Sequence, residues 1–207
     1  VKEGIIKKKI FLTGDTMIDS LVHYRSKFGK SKILLKLGLK PQKYLLSTIH
    51  RPVNVDNKNN LTKIISIFEN VSRKAQRYEK DFRIVLPVHP RTQKMINHFG
   101  LMERFKAIAN IMLIEPAGYT DFIRLLTDAK LVITDSGGIQ EEATFFKILC
   151  LTLRDSFERP ETLEIGSNTL CGLNEKLVLS KITQIFEGKY KKGKIPVLMD
   201  GKASKRI

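Results

Sequence analysis

Short apolar runs alternate along this chain with longer stretches in which apolar residues recur at helical spacing. The runs cover residues 9–13, 44–49, 83–88, 111–114, 131–134 and 148–153. Each is strand-length, and several are rich in Ile, Val or Leu at consecutive positions, as in a parallel strand covered on both faces. Between them, residues 16–28, 60–80, 91–99, 119–127, 138–147 and 175–186 carry apolar positions compatible with a period of 3.6. Strand and helix therefore alternate about six times, which predicts an α/β fold with a doubly wound, Rossmann-like parallel sheet. No repeat and no Ser- or Pro-rich linker divides the pattern. We expect one domain over residues 1–187 and a loosely packed basic tail over 188–207.

In a doubly wound sheet, ligands bind beyond the carboxyl ends of the strands, at the switch point. Polar residues follow each run. Thr13-Gly14-Asp15 follows the first, His50-Arg51 the second and His89-Pro90 the third. Glu115-Pro116 follows the fourth and Asp135-Ser136-Gly137-Gly138 the fifth, while the sixth leads into Arg154 and Glu158-Arg159-Pro160-Glu161. All six ends are expected at one crevice.

Residues 134–142, TDSGGIQEE, carry the sharpest local signal. Free N–H groups at a helix start, beside a hydroxyl and two residues lacking side chains, suit a phosphate or diphosphate. Glu142, on the first turns of that helix, suits a pair of ribose hydroxyls. A Ser N-cap on an ordinary tight turn would read the same way. His50 and His89 sit at strand ends where an imidazole can donate to phosphate or act as acid or base. Arg51 can clamp an anion, and Arg159 is held extended by the proline after it. Solvated loop residues held by internal ion pairs are the plainer alternative for each. Nothing matches a Walker loop, GxGxxG, a nucleophile elbow or metal-ligand spacing.

Composition narrows the classes. The chain has 207 residues, 42% hydrophobic and 28% charged, enough for a real core. No apolar run approaches the ~18–20 residues of a membrane span. Lys and Arg number 37 against 21 Asp and Glu, a formal charge of +16. That surplus favours polyanions, but the lysines are scattered and not interleaved with aromatic residues, so a nucleic-acid partner is not expected. Cys150 and Cys171, outside any CxxC, suit buried thiols in a reducing cytoplasm.

Together these segments resemble the non-hydrolysing UDP-N-acetylglucosamine 2-epimerases. The resemblance runs through Phe11-Leu12-Thr13-Gly14-Asp15-Thr16, residues 48–51, 87–91, 119–126, 134–143, 154–161 and 201–207. It implies the C-terminal, nucleotide-binding half of a two-domain GT-B architecture, entered by a connecting strand. It further implies that Ser136 and Gly137 bind the diphosphate and that Gly138 allows close approach. Glu142 would hold the ribose, Phe122 would lie near the uracil, and Arg159 would bind phosphate. His50 would lie in the cleft near diphosphate and sugar, and His89 and Arg51 near a second UDP-sugar site of some members. The implied reaction inverts C2 of the sugar through a glycal, without cofactor or metal. The family's catalytic carboxylates lie in the other half, so a preceding domain or partner chain is expected to be needed. The family's His-Arg-x-Glu-Asn reads here His50-Arg51-Pro52-Val53-Asn54, with Val53 in place of the carboxylate. A GT-B glycosyltransferase donor domain and a non-enzymatic basic module are the competing readings.

Overall fold

A computed structural model describes residues 4–207. Among them, six strands form one parallel sheet: β1 (Tyr44–Thr48), β2 (Arg83–Pro87), β3 (Ile111–Ile114), β4 (Leu131–Thr134), β5 (Leu149–Thr152) and β6 (Asn168–Leu170). Their order is β3-β2-β1-β4-β5-β6. The sheet grows outward from β1 in one direction to β3, then restarts on the other side of β1 with β4. The switch point therefore lies between β1 and β4, which pair in register from Leu45↔Leu131 to Thr48↔Thr134.

The helices are α1 (Thr16–Phe28), α2 (Ile33–Lys36), α3 (Pro52–Val55), α4 (Lys58–Tyr78), α5 (Pro90–His98), α6 (Met102–Lys106), α7 (Tyr119–Asp128), α8 (Gly137–Phe145), α9 (Pro160–Glu164) and α10 (Glu175–Phe186). Two cores separate cleanly on the two faces of the sheet. Leu45, Leu131 and Ile133 point to one face, where Leu61, Ile64, Phe68 and Val71 of α4 meet Val178, Ile182 and Ile185 of α10. Tyr44, Leu46 and Val132 point to the other face, against Ile18 and Leu21 of α1 and Ile123, Leu125 and Leu126 of α7. Alternate side chains thus go to opposite cores, and both cores are apolar. This is why the strands read as unbroken hydrophobic runs.

Six amphipathic stretches and five of the six runs form the expected elements. The run at residues 9–13 does not form a strand. Lys7–Lys9 make a 3-10 turn, and the chain then runs to Asp15 outside any strand, with Phe11 80% and Leu12 84% exposed. The sixth strand is β6, whose sequence Asn-Thr-Leu has no apolar run to announce it. It is held by its partners: Cys150, Leu151 and Thr152 pair with Asn168, Thr169 and Leu170. Inside the sheet the Asn168 amide takes a bond from Thr152 at 2.7 Å and gives one to Gln140 of α8 at 3.0 Å. The convergence expected of six strand ends is thus made by β1 to β5, with Asp15 reaching the edge from a coil.

Residues 188–207, expected as a loosely packed tail, are tied down. Tyr190, Met199 and Ala203 are buried, and the Tyr190 hydroxyl donates to Ser167 O at 2.9 Å. Asp19 of α1 accepts from the backbone N–H groups of Ala203 (3.0 Å) and Ser204 (2.7 Å). The returning segment also crosses the entering one. Gly14 has φ +101°, and a Cβ there would lie 2.5 Å from the carbonyl oxygen of Leu198.

Only glycine satisfies both the angle and the approach at that crossing. Gly14→Ala is expected to destabilise the domain by about 2–3 kcal/mol in urea unfolding. Gly38 has a similar need for positive φ (+61°) but open space around it, so Gly38→Ala is expected to cost only about 1 kcal/mol. Equal costs at the two positions would contradict the crossing.

Candidate functional site

The site begins with a buried carboxylate. Asp135 follows β4 and is fully buried. Its oxygens accept the backbone N–H groups of His50 (3.1 Å) and Arg51 (2.9 Å) and the Asn54 side-chain amide at 3.0 Å. The Asn54 amide also reaches Leu153 O at the end of β5, at 3.0 Å. One aspartate therefore joins the ends of β4 and β1, and through Asn54 the end of β5. At the same level Thr48 and Thr134 share a hydroxyl hydrogen bond of 2.7 Å across the switch point.

Ser136 and the start of α8 come next. The Ser136 N–H donates to the Thr134 hydroxyl at 2.9 Å, and Ser136 makes no side-chain cap on the helix. The first-turn N–H groups have no intrahelical acceptors and are left without that cap. Gly137 and Gly138 keep the approach bare. A Cβ on Gly137 would meet Glu158 Oε2 at 2.7 Å, and one on Gly138 would meet Met17 of α1 at 3.3 Å. The position of α8 is set from behind, because Gln140 is buried and held by Asn168 at 3.0 Å.

His50 is half-buried, its Nδ1 3.3 Å from Asp135 Oδ1. Burial holds its imidazole below the ordinary value; nearby His89 and Arg51 push the same way, and Asp135 opposes them. It presents a neutral ring at pH 7. The His89 ring lies 5.3 Å from it, centroid to centroid. His89 itself caps α5, its Nδ1 accepting the Arg91 N–H at 3.1 Å.

Glu142 is buried on α8, with the Tyr119 hydroxyl 3.4 Å away. Burial lifts its carboxyl from 4.5 to about 7, reinforced by Glu141 and Asp15. Phe122, three residues beyond Tyr119 on α7, is half-buried beside the same core. Arg159 precedes Pro160 with φ −133° and ψ 84°, short of the fully extended conformation expected there. Its Nε donates to Glu141 rather than reaching the Ser136 turn. Glu141 is likewise lifted by burial to about 7, against the pull of Arg159.

The structure thus brings Ser136, Gly137, Gly138, Glu142, Arg51, His50, His89 and Arg159 to one edge of the sheet, around the first half of α8. Arg159 stands one turn along from the others and is already paired. Val53 is 66% exposed on α3, while its neighbour Asn54 makes the buried contacts. The departure from the family pattern therefore falls on a solvent-facing position. The sequence put Asp135 and Glu158 at strand ends facing the crevice without giving either a role, and it offered none for Asn54, Glu141 or Tyr119. The signal for Asp135 was its place at the end of an apolar strand, where a buried carboxylate has backbone donors within reach. Glu158 stood inside a charge-dense loop whose pairing the sequence cannot order.

A parallel sheet with an uncapped helix start at its switch point defines a doubly wound α/β domain. The family model for UDP-N-acetylglucosamine 2-epimerase matches residues 1–207, and the chain belongs to that family. It is 40% identical over 190 residues to a UDP-N-acetylglucosamine 2-epimerase of Methanococcus maripaludis, covering 90% of this chain and 50% of the relative. It is 40% identical over 212 residues to one of Methanocaldococcus jannaschii, covering 100% of this chain and 56% of the relative. The crystal structure of the M. jannaschii UDP-GlcNAc 2-epimerase, in complex with UDP-GlcNAc and UDP, superposes with a TM-score of 0.85 at 38% identity. That match covers 99% of this chain and 55% of the other. The chain spans about half the length of the relatives it matches, and its Rossmann-like sheet is one half of a GT-B architecture. Among the described residues, no helix is long and apolar enough to cross a membrane.

The raised Glu142 carboxyl has a sign. Its folded-state value lies above the unfolded one, so folding favours the protonated form, and stability is lost as pH rises from about 4.5 to about 7. Glu142→Gln removes the cost of burying the charge. Its unfolding midpoint is expected to exceed that of the wild type by about 5 °C at pH 8 and to approach it at pH 5. An advantage independent of pH would rule out the buried charge as its cause.

Proposed function

We propose that this chain is the UDP-binding half of a UDP-N-acetylglucosamine 2-epimerase that interconverts UDP-GlcNAc and UDP-ManNAc. The observation that carries the reading is the gathering of the uncapped Ser136 turn, the Glu142 carboxylate and the His50–Arg51 pair at the β1/β4 switch point, in a chain whose family is established. Ser136, Gly137 and Gly138 cradle the diphosphate, and Glu142 accepts from the ribose hydroxyls. Phe122 lies toward the uracil, and Arg159 adds a positive charge on the flank of α8. His50, anchored through Asp135, lies in the cleft near the diphosphate and sugar. His89 and Arg51 border the cleft beside it.

The chemistry asked of this half follows from the reaction. A base removes the C2 proton and the C1–O bond breaks, so the electron pair leaves with UDP and a glycal remains. UDP then re-adds at C1 as a proton is delivered to the opposite face of C2. Between these events a diphosphate with extra negative charge must be gripped and kept from diffusing away. Fixed N–H donors answer that need, each worth about 3 kcal/mol when aimed at developing charge. The carboxylates that move the C2 proton belong to the family's other half. This chain therefore binds UDP and does not epimerise alone; a preceding domain or a partner chain completes it. Its free, buried Cys150 and Cys171 suit a reducing cytoplasm.

UDP at about one hundred times its dissociation constant is expected to stabilise the chain by ~2.7 kcal/mol, with ADP giving little. Equal shifts from both nucleotides would remove the uridine assignment. With UDP-GlcNAc in deuterium oxide, the isolated chain is expected to incorporate no label at C2. Steady incorporation would refute the need for a second half, and sugar transfer to an added acceptor would favour a glycosyltransferase.

A further inference from the structure

Glu158 stands where the first turn of α8 faces outward. Its Oε2 lies 2.7 Å from the place a Cβ on Gly137 would occupy, so a carboxylate rests against the bare first residue of a helix. Its Oε1 accepts from Arg154 Nη2 at 2.8 Å and lies 3.6 Å from Arg51 Nη2. The same Arg51 nitrogen is 3.7 Å from the Gly137 Cβ position. Two guanidinium groups therefore share one anion beside a helix start, and that anion is part of the chain. Donors are also left over: Arg51 Nε and Arg154 Nη1 are buried with no partner.

We propose that Arg51 and Arg154 are the cationic clamp of the phosphate-binding edge, and that Glu158 is a resident carboxylate that occupies the clamp until a phosphate displaces it. The inference rests on reading the α8 start as the diphosphate site, and it adds Arg154 as a phosphate ligand and Glu158 as its competitor. The parts differ in exposure. Asp135 holds the Arg51 backbone while the Arg51 side chain is 37% exposed, and the Arg154 side chain is only 13% exposed. Glu158 is 49% exposed and belongs to the irregular segment 153–159 between β5 and α9. Exposed ion pairs are weak, so the carboxylate can leave at small cost while the arginines stay. A guanidinium fork accepts carboxylate and phosphate in similar planar geometry, but phosphate brings more charge and more acceptors. In the empty site Glu158 keeps two facing guanidinium groups from repelling each other. In the loaded site the same carboxylate would oppose the ligand and must turn outward.

Calorimetric titration of the full chain tests this with inorganic pyrophosphate, UDP and uridine. Glu158→Gln keeps the shape and removes the charge. It is expected to tighten pyrophosphate and UDP about three- to tenfold, with uridine unchanged, because like charge beside a binding site weakens affinity on that scale. Glu158→Ala is expected to tighten them at least as much. Pyrophosphate affinity that is unchanged or weaker in both variants overturns the proposal. If both variants tighten pyrophosphate while UDP has no advantage over ADP, the clamp stands and the uridine reading falls.

Discussion

The carboxylate of Asp135 is the joint on which the site depends. A parallel sheet that grows outward from its middle leaves two neighbouring strand ends whose chains depart toward opposite faces. Backbone donors are left facing each other across that gap, and buried donors need acceptors. Asp135 supplies them for His50, Arg51 and Asn54 together. The side chain is out of solvent, so its charge is balanced by directed hydrogen bonds rather than by water. The gap between β1 and β4 thereby becomes a rigid floor. His50 and Arg51 rise from one side of it and the α8 turn from the other, at fixed separation.

Around that floor the electrostatics are arranged against stability. Glu141 and Glu142 are neighbours on one helix, both buried, and each is raised to about 7. Asp15 adds a third carboxylate from the entering segment. Arg159 pairs with Glu141, and its charge also reaches Asp15. A protein selected for stability alone would place apolar side chains here. A carboxylate kept out of water is, however, a strong acceptor for a hydroxyl pair, and its preorganisation is gained before the ligand arrives. The proposed role would account for a helix that buries Gln140, Glu141 and Glu142 behind a start made of two glycines.

The competition between internal and external anions follows from the same economy of charge. This chain carries a large positive surplus, yet at the site each arginine already has a carboxylate: Arg51 and Arg154 share Glu158, and Arg159 holds Glu141. Steering by the overall charge brings anions near. Which anion stays depends on local pairs that must exchange partners. The proposed diphosphate site is therefore better described as a set of ion pairs ready to be traded than as an open positive pocket.

The order of apolar runs and amphipathic stretches determined most of this fold from the sequence alone, because a strand buried on both faces and a helix buried on one leave different periods in the chain. The same order placed the chemistry at strand ends, and the letters of residues 134–142 and 154–161 carried the family. Two strand assignments needed the tertiary structure. Residues 9–13 are apolar enough for a strand but pair with no strand among the described residues, whereas Asn168–Leu170 are polar but lie against β5, which supplies the hydrogen bonds. The pairing of charges was also decided only in three dimensions. Sequence lists the arginines and glutamates of the 154–161 loop, but distance and burial choose among the partners. That choice sent Arg159 to Glu141 and set Glu158 over the helix start, because electrostatic energy depends on separations of a few ångströms that no linear spacing across a loop can specify.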